Sequence, residues 1–248
     1  MSRQDLRKQW RDLSPEWIKE SSGRNANRKG LLDRAILEAC GDISGLRILD
    51  SGCGEGRFCR LLIDLGAVYV LGLDTCEPMI EAARKVRSGP EEYLIADVQK
   101  MDAVGDGTFD LAISYLNQCD LPDFEANTRE VFRVLKPGGR FVIANLHPMR
   151  SAAGGWLKDE AGKKLHAILD NYFDEGERHW EVWGKPLTNF HRMLSTYLDG
   201  YKDAGFELVR IIEPGVSRED LEEYPELADE RRVPNFIIFV LGKPLLPG

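Results

Sequence analysis

The sequence contains few of the residues and patterns that mark whole classes of protein. Only four histidines occur in 248 residues, and the five cysteines form no CxxC pair, so we expect neither a metal centre nor a disulfide framework. No apolar run approaches the length of a membrane span, and the first ten residues, MSRQDLRKQW, lack the apolar core of a signal peptide. We therefore expect a cytoplasmic protein that does not associate with membranes.

Positive charge is also scarce in this chain. There are 33 lysines and arginines against 41 acidic residues, which gives a formal net charge of −8. A protein that follows a phosphate backbone usually presents a basic face. The expected partner is therefore a small-molecule substrate and not a nucleic acid, while the oligomeric state is left open.

The sequence does contain a glycine-rich turn between an apolar run and a helical pattern. Residues 48–58 read ILDSGCGEGRF, with glycines at positions 52, 54 and 56. Glycine adopts positive φ and lets the backbone approach a ligand, and a helix that follows presents unpaired N–H groups to the same space. We predict that Gly52, Cys53, Gly54 and Gly56 bind a small polar molecule.

The spacing of these glycines favours one kind of ligand over another. A dinucleotide fingerprint, GxGxxG, needs a third glycine at position 57, which is Arg57 here. The carboxylate of Asp50, two residues before the first glycine, would repel a pyrophosphate and attract an ammonium or sulfonium group. A cationic ligand is thus preferred, and an NAD-dependent oxidoreductase is the less favoured alternative.

Apolar β-rich runs alternate with helical patterns from residue 46 onward. This alternation predicts an α/β fold with a mostly parallel sheet covered by helices on both faces. Within a single domain over residues 1–248, we expect a helical lead-in at 1–45, a ligand-binding core at 46–148, an insertion after strand five at 149–190 and the rest of the sheet at 191–248. The predicted strands are 46–50, 68–74, 93–97, 109–114, 140–146, 206–213 and 235–242, with a helix at about 122–135 stopped by the Lys-Pro-Gly-Gly run at 136–139.

Acidic residues follow two of these strands on the edge where open α/β sheets bind ligands. Asp74 and Thr75 end the second strand, 18 residues after Gly56, and a carboxylate there can accept both hydroxyls of a ribose. Asp97 ends the third strand, where it can accept from an adenine amino group while the Val98 backbone meets the ring.

Together, the glycine loop DSGCGEG, Asp74, Ala96-Asp97 and the strand FDLAIS leading to LKPGGRFVI resemble class I S-adenosylmethionine-dependent methyltransferases, of the small-molecule, quinone-biosynthesis type. The resemblance covers residues 46–146 and implies a Rossmann-like seven-stranded sheet whose last strand runs antiparallel beside the fifth. It also implies the cofactor S-adenosylmethionine, with its methionine end near the glycine loop and Tyr115. An N-terminal segment closes over the cofactor in such proteins, and Trp17, Arg24 and Arg28 are the candidates for it, one arginine pairing with the methionine carboxylate.

Two histidines are candidates for removing a proton from the methyl acceptor. His147 follows the fifth strand, and His191 precedes the helix expected to flank the pocket. The polar residues Asn117, Asp120 and Asn145 do not form a convincing carboxylate set for Mg²⁺. No NPPY or DPPY follows strand four, which argues against methylation of a flipped nucleobase. A non-catalytic S-adenosylmethionine-binding protein remains an alternative, and the aromatic insertion at 149–190 is predicted to cover the acceptor pocket.

Overall fold

A computed structural model describes residues 1–21, 23 and 25–245, and its strands account for most of the predicted pattern. The strands are β1 (Arg47–Ser51), β2 (Tyr69–Asp74), β3 (Glu91–Ile95), β4 (Phe109–Tyr115), β5 (Leu135–Leu146), β6 (Ala153–Lys158), β7 (Lys164–Leu169), β8 (Gly176–Val182), β9 (Lys185–His191), β10 (Glu207–Ile212) and β11 (Phe236–Gly242). Seven of them form one sheet in the order β10-β11-β5-β4-β1-β2-β3. The predicted α/β fold with a seven-stranded, mostly parallel sheet is confirmed.

Eight α-helices accompany the strands in the described part of the chain. They are α1 (Arg3–Ser21), α2 (Asp33–Cys40), α3 (Arg57–Asp64), α4 (Glu77–Lys85), α5 (Phe124–Val134), α6 (Pro148–Ser151), α7 (Leu194–Asp203) and α8 (Arg218–Glu223). A π-helical turn at Ala26–Leu32 joins α1 to α2. Two buried apolar clusters lie on opposite faces of the sheet, one containing Ile36 and Leu62, the other Val131 and Tyr197. None of these helices is both long and apolar enough to cross a bilayer, among the residues described.

The sheet is parallel from β5 through β3 and antiparallel at its other end. β1 pairs in parallel with both β2 and β4, which places the loop after β1 where strand order reverses. β11 runs antiparallel to β5 over the whole of Phe236–Gly242 and also pairs with β10. The expectation of an antiparallel last strand beside the fifth is confirmed.

Two local predictions were wrong. β3 begins and ends two residues earlier than expected, so Asp97 lies in the loop beyond the strand. The Lys-Pro-Gly-Gly run does not separate α5 from β5, because the strand already begins at Leu135 and a register shift between Phe109 and Leu111 of β4 accommodates the extra residues. The segment 149–190, predicted as an insertion, contains two antiparallel hairpins, β6-β7 and β8-β9, outside the main sheet.

Candidate active site

A cavity lies beyond the carboxyl ends of β1, β2 and β4, at the reversal of strand order. It opens to solvent and encloses about 1100 Å³ when the open mouth is included. Most of the predicted binding residues line it, as do residues that the sequence did not single out. The first group is Trp17, Arg28, Asp50, Gly52, Cys53, Gly54, Asp74, Thr75, Asp97, Val98 and Tyr115, and the second includes Leu6, Trp10, Asn117, Asp120 and Leu121.

The glycine loop forms the floor of the cavity. Gly52, Gly54 and Gly56 have φ values of +89°, +55° and +76°, which L-residues with a side chain rarely adopt. A Cβ built on Gly52 would lie 2.2 Å from the side chain of Asn117, so at this position both the backbone angle and the available space require glycine. Gly56 does not line the cavity; it is the residue preceding α3.

Asp74 joins the glycine loop to the end of β2. Its Oδ2 accepts from the Gly54 N–H at 2.9 Å, and its Oδ1 accepts from the Cys76 N–H at 2.8 Å. Burial raises the pKa of Asp74, and these backbone N–H groups oppose that rise. The Asp74 carboxylate lines the cavity while these backbone groups hold it in place.

Two oxygens at the cavity are buried without a partner among the described residues. They are Oδ1 of Asp50 and Oδ1 of Asn117. The other Asp50 oxygen accepts from the Cys59 thiol at 3.1 Å. Burial raises the pKa of Asp50 to about 7, and the neighbouring acids Asp74 and Glu55 add to the rise. A buried carboxyl of this kind is stabilised by a positive charge placed beside it.

Asp97 lines the cavity and contacts two arginines of α1. Its Oδ1 accepts from the backbone and side-chain amides of Gln99, both at 3.0 Å. Its Oδ2 lies 3.4 Å from Arg7 and 3.6 Å from Arg3, two arginines that are about half exposed. Asp97 thus binds the N-terminal helix in this structure.

The candidate closing segment is anchored by a buried ion pair. Asp33, the first residue of α2, accepts two hydrogen bonds from Arg57 at 2.8 Å and one from the Tyr115 hydroxyl at 2.9 Å. Arg28, in the π-helical turn, stacks over Trp17 with 4.7 Å from its guanidinium carbon to the ring centre. Burial lowers the pKa of Arg28. The third candidate, Arg24, lies outside the described residues.

A buried polar network, which sequence reasoning missed, fixes the rim of the cavity. Asn127 of α5 donates to Ser51 at the end of β1 and to the Val98 carbonyl, both at 3.0 Å. Gln118 donates to Asn127 at 3.0 Å and accepts from the Tyr201 hydroxyl at 2.9 Å. Asn127 lies in α5, Ser51 ends β1 and Gln118 follows β4, so their contacts join segments far apart in the sequence.

Neither candidate histidine lines the cavity. His147 caps α6, with Nδ1 accepting from the Met149 N–H at 3.1 Å and Nε2 lying 2.9 Å from Glu213. Burial lowers the pKa of His147. The ring nitrogens of His191 lie 2.7 Å from the Ser151 hydroxyl and 2.9 Å from the Tyr172 carbonyl. All four nitrogens thus have protein partners, and the base role stays a prediction that this geometry does not favour.

The helix α1 covers the cavity, and the insertion at 149–190 lies outside α1. No residue of 149–190 lines the cavity within the described chain, whereas α1 contributes Arg3, Leu6, Arg7, Trp10 and Trp17. The hairpin β8-β9 holds α1 from outside. Lys185 donates to the Asp12 carbonyl at 2.6 Å and to Glu16 at 2.7 Å, and the Thr188 N–H donates to Gln9 at 3.0 Å.

Asp120 belongs to the same cavity. The residues after β4, LNQCD, contain it together with Asn117, and Leu116 there has a φ of +55°. Burial raises the pKa of Asp120 to about 7. A run of polar residues at the carboxyl end of a parallel strand is the sequence feature that could have indicated Asp120.

No cluster of metal-ligating side chains occurs in the part of the chain that the structure describes.

Comparison with known proteins places this site among methyltransferases. The family model of a methyltransferase domain matches residues 49–143, which include the glycine loop, Asp74 and Asp120. A solved S-adenosylmethionine-dependent methyltransferase from Mesorhizobium loti is 32% identical, with a TM-score of 0.76, over 90% of this chain and 99% of that one.

Two curated relatives have named activities. Malonyl-[acyl-carrier protein] O-methyltransferase of Serratia marcescens is 30% identical over 62% of this chain and 53% of its own length. Ubiquinone biosynthesis O-methyltransferase of Xanthomonas oryzae pv. oryzae is 32% identical over 58% of this chain and 59% of its own length. The chain therefore spans little more than half the length of these two relatives.

Proposed function

Because this chain belongs to the S-adenosylmethionine-dependent methyltransferases, we propose that it transfers the methyl group of that cofactor to a small molecule. The observation that carries the proposal is the cavity itself, in which the glycine loop, Asp74 and the unpartnered Asp50 carboxyl line one space. The cofactor supplies a methyl group already activated by a sulfonium. The protein's task is to hold the acceptor close to that methyl group and to exclude water.

The residues present fit the cofactor. Asp50 lacks a cation beside its buried Oδ1, and a ligand with ammonium and sulfonium charges provides positive charge there. The Asp74 carboxylate lines the cavity and can accept from the hydroxyls of a ribose. Asp97 and Val98 are available to an adenine ring, and Arg28 to a carboxylate. A pyrophosphate has no such match, since it would face the acids at positions 50 and 74.

The walls of the cavity also favour a particular acceptor. Apolar side chains of Leu6, Trp10 and Leu121 line it together with the polar groups. We therefore propose an acceptor with an apolar or aromatic body. Both curated relatives described above are named as O-methyltransferases, which supports an oxygen acceptor without establishing one.

Calorimetry on the purified protein tests this function. S-adenosylmethionine should bind and NAD should not, and mass spectrometry of the purified protein should detect co-purified S-adenosylmethionine or its demethylated product. Asp74→Ala should weaken binding by about 1–3 kcal/mol through the loss of charged-acceptor hydrogen bonds. The matched control is Asp102→Asn, whose side chain is 75% exposed. Binding of NAD with no response to S-adenosylmethionine would contradict the proposal.

We also propose that the segment 149–190 acts on the acceptor side through its second hairpin. Lys185 of the hairpin β8-β9 donates a hydrogen bond to Glu16 of α1. Asn189 of the same hairpin donates to Asp120 in the loop after β4. Lys185→Met should therefore loosen α1 over the cavity and raise the KM for acceptor, with cofactor binding within a few-fold of wild type. Unchanged acceptor kinetics and an unchanged rate of cofactor release would remove this role.

A further inference from the structure

Asp120 is a carboxyl group of the cavity with an open oxygen. Its Oδ1 accepts from the Asn189 side-chain amide and lies 3.7 Å from the Cys119 sulfur. Its Oδ2 has no hydrogen bond within the described residues. Since Asp120 lines the cavity, Oδ2 is the atom that a ligand can reach. Leu121 and Pro122, which follow it directly, line the cavity as well and supply apolar wall.

No salt bridge neutralises this carboxyl in the part of the chain that the structure describes. The titratable groups around it are Cys119 on its own loop, Asp74 across the cavity, Tyr197 of α7, and Arg192 just after β9. The Arg192 guanidinium donates to backbone carbonyls of the loop, the shortest contact being 2.6 Å, and stacks on Phe124. Among the described residues, Asp120 forms no salt bridge. Burying a carboxyl without a cation is costly, and such groups concentrate at functional sites.

The charge state of Asp120 should depend on what the cavity holds. Burial, with a smaller contribution from Asp74, raises its pKa to about 7, although hydrogen bonds from the Asn189 amide and the Cys119 thiol oppose the rise. A positive charge held in the same cavity lowers the pKa of a nearby carboxyl. Asp120 should therefore be partly protonated in the free protein at neutral pH and ionised when a cationic ligand is bound.

We propose that Asp120 is the general base of the methyl transfer, and that the acceptor is an apolar molecule whose hydroxyl or amine N–H lies against Oδ2. The inference rests on the proposed function. The acceptor's proton passes to Oδ2, a bond forms between the acceptor heteroatom and the methyl carbon, and the carbon–sulfur bond breaks with its electron pair left on sulfur. The proton then leaves Asp120 to water, which restores the carboxylate.

The first test needs no turnover. In protein labelled with ¹³C at aspartate carboxyls, the signal lost in Asp120→Asn identifies Asp120, and the signal lost in Asp102→Asn is the control for an exposed carboxyl. The Asp120 signal should titrate near neutral pH in the free protein. S-adenosylmethionine should lower that pKa more than S-adenosylhomocysteine does, because only the former carries a sulfonium. An ordinary aspartate pKa in the free protein, or equal shifts by the two ligands, would overturn the proposal.

The second test uses acceptors that differ in whether a base is needed. Catechol and phenol keep their proton at neutral pH, whereas thiophenol is largely ionised. Asp120→Asn should lower kcat/KM for catechol and phenol by about 10²- to 10⁴-fold and for thiophenol by much less. Equal losses for all three acceptors, or no loss for any of them, would refute the role of Asp120 as a base. If calorimetry shows cofactor binding but none of the three is methylated, the acceptor class proposed here is wrong while the proposed function stands.

A third test concerns Asn189, which positions Asp120 through a hydrogen bond to its carboxylate. Its amide stabilises the ionised form of Asp120, so Asn189→Ala should raise the pKa of Asp120. The acid limb of kcat/KM for catechol should then move to higher pH, and the rate at high pH should recover toward wild type. A uniform loss of rate at every pH would mean that Asn189 is only structural. It would also mean that the ionisation of Asp120 does not cause the fall of kcat/KM at low pH.

Discussion

Replacing Asp33 with alanine should show that one buried ion pair holds the N-terminal helices on the core. Its carboxylate accepts two hydrogen bonds from Arg57 and one from Tyr115, and the two members of the ion pair are only 15% and 18% exposed. Removing one partner of a buried pair costs about 3–5 kcal/mol because it leaves an uncompensated charge. Partial exposure of Arg57 reduces this, and we expect about 2–4 kcal/mol.

The neighbouring residue supplies the control. Arg34 forms a similar two-armed pair with Asp220, but its side chain is 51% exposed, so Arg34→Ala should cost at most about 1 kcal/mol. For a chain of this size, each kcal/mol corresponds to roughly 2–4 °C in Tm. Circular dichroism should therefore show a loss of roughly 5–15 °C for Asp33→Ala and under about 4 °C for Arg34→Ala. Equal losses in the two variants would refute the assignment of the anchor to Asp33.

Three further outcomes are expected. Binding of S-adenosylmethionine at about pH 6.5 should release protons, because burial raises the pKa values of Asp50 and Asp120 to about 7 and a cation lowers them again. Calorimetry in buffers of different ionisation enthalpy should detect a smaller release in Asp50→Asn than in wild type, since only Asp120 then ionises. Gly52→Ala should destabilise the protein and weaken cofactor binding more than Gly45→Ala does, since both have positive φ but only Gly52 would place a Cβ against Asn117. His191→Ala should lower Tm with little change in the pH profile of turnover, whereas a hundredfold loss of kcat/KM at unchanged Tm would establish it as a base.

The strands and the binding edge were predictable because their signals are local. Apolar runs and the glycines of the loop after β1 identify elements whose residues are close in sequence, and the rule for open sheets then places Asp74 at the cavity. The two hairpins of 149–190 were missed because their strands are largely exposed and carry no continuous apolar face. Without an apolar face, the sequence shows no alternation of apolar and polar residues from which these strands could be predicted.

The roles of the titratable residues were less predictable, since they depend on contacts between distant parts of the chain. The sequence predicts His191 as a base, but Ser151 and Tyr172 lie within hydrogen-bond distance of both of its ring nitrogens. Asp120 looked like an isolated acceptor, but Asn189, 69 residues later, turns it toward a ligand cavity. Partners of this kind are fixed only once the chain has folded.

The position of β11 bears on how this chain folds during synthesis. It is the last of the seven strands to leave the ribosome, but it lies between β5 and β10, which are made before it. Until residues 236–242 emerge, β5 and β10 each expose a strand edge that can pair with another chain. A nascent chain that ends before residue 236 therefore has β5 without a neighbour on one side and β10 without any partner strand. The stretch of translation between β10 and β11 is the period in which a chaperone is most useful to this protein.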